Sequence, residues 1–294
     1  MDLIGKRRIW FLVSTSLIAL SIFALVFNGL VRGKVMNFGI DFTGGTLLTL
    51  RFEKEISTGD VRAVLAEFKR PEAIIQKTGL TDIAIRTEPL SNEERAQIVD
   101  KMREKIGGVE LLEADTIGPV IGRELRMQAL WALIVATIGM LIYVAFRFEF
   151  KYALAAILAL YHDALITTGL IALFWRNVET PFVAAILTIL GYSINDTVVI
   201  FDRIRENLGK AGATKIPFAK LVNDSLLQTM ARSINTILTT LIMVIAVLLF
   251  GGATLRDFML VLLIGFICGG YSSIFVAAPL VVVWEKWHIG KSIR

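Results

Sequence analysis

Only one cysteine and two histidines occur in the 294 residues. Cys268 has no intrachain disulfide partner, no cysteine-based metal or redox site is suggested, and the redox compartment stays undecided. Neither His162 nor His288 has a second histidine at ligand spacing, and HExxH is absent, so no metal is expected. GxxxxGK[ST] is also absent, which disfavours reading the glycines of NFGIDFTGGT (Asn37 to Thr46) as a phosphate loop. No nucleophile, base and orienting group form a recognisable set, so neither an enzyme nor a cofactor is expected. Basic residues are diffuse and interrupted by acids, which argues against a nucleic-acid partner.

What the chain has is hydrophobicity. Apolar side chains make up 55% of it and the mean hydropathy is +0.67, values of a multispan membrane protein rather than a soluble domain. Six runs approach the roughly 20 apolar residues that a span requires: 9–30, 130–146, 152–175, 182–201, 234–250 and 258–284. The first follows Lys6, Arg7 and Arg8 as a signal peptide would, but no small-residue cleavage site precedes Arg32, so it reads as a retained helix. Trp10, Trp131, Trp175, Trp284 and Trp287 sit near run ends, where amphipathic rings prefer the interface.

The net charge of +5 is read by location. Lys6, Arg7, Arg8, Arg147, Lys151, Arg203, Arg205, Lys210, Lys215, Lys220, Arg232, Lys286, Lys291 and Arg294 fall on one side of the membrane, and the short loops opposite hold only Arg176 and Arg256. The positive side is cytoplasmic, which places both termini (1–8 and 285–294) and the 202–233 loop inside and residues 31–129 outside. In the 202–233 loop, Gly209, Gly212 and Pro217 read as breaks, and Phe218, Leu221, Val222 and Leu226 as either an amphipathic helix on the bilayer surface or part of a solvated loop.

The outside segment is long enough for a small domain. GTLLTLRFE (Gly45 to Glu53) reads as a strand, and Ser57 caps a helix with Val61, Val64, Leu65 and Phe68 at helical spacing. Glu72 to Thr78 and Thr81 to Glu88 read as short strands. Ser91 and Glu94 form a capping box for a second helix burying Ile98, Met102 and Ile106, and Val109 to Ile117 is a last strand. This βαββαβ order predicts a ferredoxin-like fold. Asp41, Phe42, Thr43, Gly44 and Gly45 read as a tight bend linking the first span to this domain.

Polar groups interrupt the apolar runs. GYSINDTVVIFDRIREN (Gly191 to Asn207) sets Asn195 and Asp196 inside the fourth run. An ionised side chain at that depth costs a few kcal/mol or more, so it faces a bundle interior. Thr188, Tyr192, Asn195 and Asp196 share one side of the helical wheel; Leu190, Ile194 and Phe201 lie opposite, toward lipid or apolar neighbours. Asp196 is either a hydrogen-bonding tie between helices or a proton or ion site. His162 and Asp163 fall near the middle of the third run and read as structural or proton-coupling. The fifth run opens with Arg232, then Asn235, Thr236, Thr239 and Thr240. Asp196 lies about 9 Å from the cytoplasmic edge, within reach of a snorkelling Arg232 if the two helices pack side by side. Pairing favours the ionised carboxylate and separation favours a bound proton, which makes a switch. Gly265, Gly269 and Gly270, with Ser272 and Ser273, mark a close-packing face in the sixth run, and Pro279 predicts a kink there.

DFTGGT (41–46), FRFEFKYALAAILALYHD (146–163) and GYSINDTVVIFDRIREN (191–207) resemble the signature stretches of SecF, in the SecD/SecF family of the RND superfamily. The resemblance covers nearly the whole chain. It implies a six-helix RND-type half with one small extracytoplasmic α+β domain, in a bacterial inner membrane. It further implies a separate SecD partner, the SecYEG channel and a translocating preprotein as associates, and use of the proton motive force. By motif, Asp196 corresponds to the family's proton-carrying aspartate, Arg232 to its arginine at the start of the fifth helix, and Asp163 to the aspartate of its HD pair. Two other readings remain: half of a proton-driven exporter of small molecules or lipids, and a passive scaffold subunit.

Overall fold

The computed structural model describes residues 1–211 and 216–292. Gly212, Lys215 and Arg294 lie outside these residues, and so do the side chains of Lys286, Trp287, His288 and Lys291. The chain forms two compact units, one of residues 1–37, 132–177 and 181–294, the other of residues 38–131 and 178–180.

The first unit is helical. Six helices are long and apolar enough to cross a membrane, a form in which every backbone hydrogen bond closes within the segment. They are α1 (Arg7–Arg32), α5 (Pro119–Arg147), α6 (Phe150–Leu173), α7 (Thr180–Ala211), α8 (Phe218–Phe250) and a composite sixth. About half or more of the apolar stretch of α6, α7 and the sixth is buried, against 6% for α5, so those three make the centre. Gly33, at φ 67°, closes α1 in the left-handed conformation that glycine adopts without penalty.

Besides the sixth, which extends past 258–284 at both ends, three helices depart from the expected bounds. α5 starts at Pro119, well before residue 130, because proline suits a first helical turn and GRELRMQA is compatible with helix. α7 continues through Gly209, where the glycine does not break it. α8 merges the expected amphipathic helix with the fifth span, since no proline or glycine stands between Phe218 and Phe250. Its residues Leu221, Val222 and Leu226 are buried in the protein instead of lying on the bilayer surface. The Asn207 amide, on α7, donates to Ser225 Oγ at 2.8 Å and so ties this end of α8 to α7.

The sixth helix is α9 (Ala253–Ser272), a π-helical turn (Ser273–Ala277) and α10 (Ala278–Ser292). Pro279 lacks the N–H that would continue the ladder, and the wide turn just before it absorbs the mismatch.

The second unit contains β1 (Asn37–Phe38, shared with the first), α2 (Ile40–Thr43), β2 (Gly45–Phe52), α3 (Thr58–Glu67), β3 (Ile74–Lys77), β4 (Asp82–Thr87), α4 (Asn92–Lys105), β5 (Val109–Ile117) and the start of α5. Its antiparallel sheet has the order β3-β4-β2-β5. Leu48, Leu50 and Phe52 of β2 pack with Val61, Val64 and Leu65 of α3 and Ile98 and Met102 of α4, so both helices cover one face. Ser57 Oγ accepts the Gly59 N–H to start α3. Ser91 and Glu94 form the reciprocal capping box of α4, as their spacing predicts.

Candidate functional site

α6, α7 and the end of α9 meet around Asp163, which is wholly buried. Its Oδ2 accepts hydrogen bonds from Ser193 Oγ of α7 at 2.6 Å and Ser272 Oγ of α9 at 2.7 Å. Its Oδ1 lies 2.9 Å from Nδ1 of His162. The His162 ring stacks on Tyr271 at 6.2 Å between centroids, and its Nε2 is buried with no hydrogen-bond partner among the described residues. One turn along α7, Thr197 Oγ1 lies 2.9 Å from Ser273 Oγ in the π turn. A carboxylate that accepts from two helices can stay in an apolar interior because both its oxygens are satisfied.

Asp196 is placed differently. It is 7% exposed, and its Oδ1 accepts from Ser233 Oγ of α8 at 2.7 Å. Its Oδ2 is buried and has no hydrogen-bond partner among the described residues. α7 and α8 therefore touch at the level of Asp196. The contact comes from Ser233, not from Arg232 one residue earlier, which is exposed; no ion pair to Asp196 occurs among the described residues.

α7 links the two carboxylates, because it carries Asp196 and, three residues earlier, Ser193, the donor to Asp163 of α6. Asn195, in contrast, is exposed, as are Thr188, Asn235, Thr236 and Thr239. Leu190, Ile194 and Phe201 are buried, so α7 turns its apolar side into the chain, while on its polar side Thr188 and Asn195 are exposed, Tyr192 is half-buried and Asp196 is buried against α8. Ser193, Thr197 and Ser233 escaped sequence reasoning. The available signals were a hydroxyl one turn before Asp196 and another directly after Arg232.

The glycines of α9 sit against neighbouring helices. A Cβ on Gly265 would come within 2.0 Å of Ile189, one on Gly270 within 2.2 Å of Ile237, and one on Gly269 within 3.1 Å of Ser193 Cβ. Gly269 thereby lets α9 approach the serine that serves Asp163.

In the second unit, Asp41 to Gly45 are held in place. Phe42 is buried, Thr43 Oγ1 donates to the Gly39 carbonyl at 2.9 Å, and Asp41 Oδ2 accepts the Thr180 N–H at 2.8 Å. Gly44 and Gly45 take φ of 72° and 125°, and a Cβ on Gly45 would lie 2.4 Å from the Thr87 carbonyl oxygen. The bend thus needs glycine for both angle and space.

Residues 97–287 match the family model "Protein export membrane protein SecD/SecF, C-terminal", and residues 33–56 match the "SecD/SecF GG Motif". The first range holds Asp163, Asp196 and Arg232; the second holds Asp41 to Gly45. Protein translocase subunit SecF of Sebaldella termitidis is 43% identical over 98% of this chain and 92% of its own length. Protein translocase subunit SecDF of Thermus thermophilus is 41% identical over 88% of this chain, which spans only 36% of that longer protein. A crystal structure of the Thermus SecDF, described as a translocon-associated membrane protein, superposes with a TM-score of 0.88 at 38% identity, covering 97% of this chain and 39% of that one. A SecDF structure in a super-membrane-facing form gives a TM-score of 0.70 at 38% identity, over all of this chain and 40% of that one. Six apolar helices, both family models and near-full-length relatives agree: the chain is a multi-pass membrane protein and belongs to the SecD/SecF family of protein translocase subunits.

Proposed function

We propose that this chain is the SecF-type half of a SecD/SecF complex that uses the proton motive force to promote preprotein translocation through the SecYEG channel, acting from the extracytoplasmic side. The observation that carries the reading is the Asp196 carboxylate. It is buried in a spanning helix with one oxygen held and the other without a partner, an arrangement that leaves a place for a proton. Arg232, adjacent to the residue that holds Asp196, supplies the charge whose approach or withdrawal switches the site. Asp163, His162 and Asn195 belong to the same polar region, with Asp163 fixing the geometry around Ser193.

The separate SecD fits the exposed polar side of the helices. Asn195, Arg232 and Asn235 are exposed and cannot face hydrocarbon at low cost, so a second set of membrane helices covers them. The fused SecDF relative supports such an association. The second unit is then the extracytoplasmic ferredoxin-like domain, its strand order being that of a split βαβ sheet, and Asp41 to Gly45 transmit movement to it. Both termini are cytoplasmic, in a bacterial inner membrane. The chain acts as an accessory subunit, without enzymatic chemistry or a cofactor.

A scaffold role is the second reading, favoured by Asp163, whose satisfied oxygens are what interhelical glue requires. Gradient-dependent completion of export, in vesicles holding the chain with SecD and SecYEG, separates the two. Asp196→Asn is expected to abolish the gradient-dependent part while still binding SecD. Equal export by both forms overturns the motor reading and leaves the scaffold.

A further inference from the structure

The two buried carboxylates differ in how completely they are held. Asp163 has hydrogen-bond partners at both oxygens, Ser193 and Ser272 at Oδ2 and His162 at Oδ1. Asp196 has one donor, Ser233 Oγ at 2.7 Å on Oδ1, and an open Oδ2. Ser233 is wholly buried while Arg232, its chain neighbour, is exposed. Successive helical positions differ by about 100°, so α8 presents the serine and the arginine to different sides. Turning α8 to bring Arg232 toward Asp196 would carry the Ser233 hydroxyl away from it.

From this geometry we propose that Ser233 is the positioning residue for Asp196: its hydroxyl fixes the rotation of the carboxyl, so that Oδ2 is the oxygen that takes and releases the proton. The proposal rests on the reading of Asp196 as the proton carrier. A freely rotating carboxyl would present either oxygen. A carboxyl held at Oδ1 presents one, and the same bond registers which way α8 is turned. Tyr192, one turn before Asp196 on α7, accepts from Thr240 Oγ1 of α8 at 3.3 Å, and the exposed Arg232 is the charged neighbour of Ser233 on α8.

The test uses the complex of this chain with SecD in lipid vesicles, compared by infrared difference spectroscopy across a pH step. A protonated-carboxyl band present in the native complex and absent in Asp196→Asn belongs to Asp196. Ser233→Ala is expected to displace that band and to lower gradient-dependent export about tenfold, the scale of a hydrogen bond to a charged group. Ser233→Thr, which keeps a hydroxyl, is expected to leave the band in place. A native-position band in Ser233→Ala overturns the positioning role, because a merely structural serine would not set that frequency. If the native complex shows no Asp196 band at all, the proton-carrier reading fails first, and this proposal with it.

Discussion

Asp163 and Ser193 lie 30 residues apart in the chain and 2.6 Å apart in space, both buried, joining α6 to α7 through one hydrogen bond. Ser272 joins the same carboxylate oxygen from α9 at 2.7 Å. The three most deeply buried helices of the first unit are thus tied at one atom.

Removing that atom's acceptor capacity is costly. In Asp163→Asn, an amide that replaces Oδ2 offers hydrogens to two hydroxyls that were donating. We expect a loss of about 3 kcal/mol, the upper range for a hydrogen bond to a charged group. Unfolding of the purified protein in mixed detergent micelles measures it, and a loss below 1 kcal/mol would show that the hydroxyls find other acceptors.

α1 meets α6 at Gly169, where an added Cβ would lie 2.1 Å from Ser21 Cβ and 2.5 Å from Ser21 Cα. Backbone cannot yield as a flexible side chain does. Gly169→Val should push the helices apart, break the 2.8 Å bond from Asn28 Nδ2 to the Ala172 carbonyl, and cost about 1 to 3 kcal/mol. Gly209→Ala is the contrasting case. Nothing lies within 4 Å of its Cβ position, so it should gain up to about 1 kcal/mol from helix propensity. The same micelle assay reads both.

Gly45 pairs with Ile117 at the end of β2. Alanine there must hold a φ of 125° with its Cβ 2.4 Å from the Thr87 oxygen, so Gly45→Ala should destabilise the second unit by about 1 to 3 kcal/mol. Faster amide exchange in β2, with the membrane helices unchanged, is the expected pattern.

The second unit should also respond to acid at one helix end. The Ser91 N–H and hydroxyl hold the Glu94 carboxyl below its ordinary value. A depressed folded pKa gives stability that is present above the unfolded value of about 4.3 and lost as pH falls through the folded one. Amide exchange at the start of α4 should therefore quicken below about pH 4, and Glu94→Gln should remove that dependence. Glu113 has the opposite sign. Burial, with Asp115 nearby, raises its pKa, so its penalty is relieved as pH falls. Exchange in β5 is expected to slow at higher pH than the window where α4 loosens, as pH falls from the raised Glu113 value toward about 4.3.

Much of this architecture is written locally. Hydropathy over twenty residues is a property of a segment, so the six spans could be read before any packing was known. Capping is equally local: Ser57 and Ser91 start their helices through atoms two and three residues away. The strand positions of the second unit followed from alternation and turn residues within a few places of the observed ends.

Other features belong to no segment alone. That the first turns of α8 are covered by protein depends on α7, where Asn207 meets Ser225. Nothing within residues 218–233 marks them as covered. Ser193 and Ser233 are ordinary small polar residues by composition, and each gains meaning only from a carboxylate on another helix. Sequence by itself determined which stretches are long and apolar enough to cross a membrane and which polar residues are expensive there, because transfer into hydrocarbon is paid residue by residue. Only the tertiary structure decided which oxygen of each aspartate is held and by whom, because a hydrogen bond needs two groups within about 3 Å, and that closeness is set by how helices distant in the chain pack.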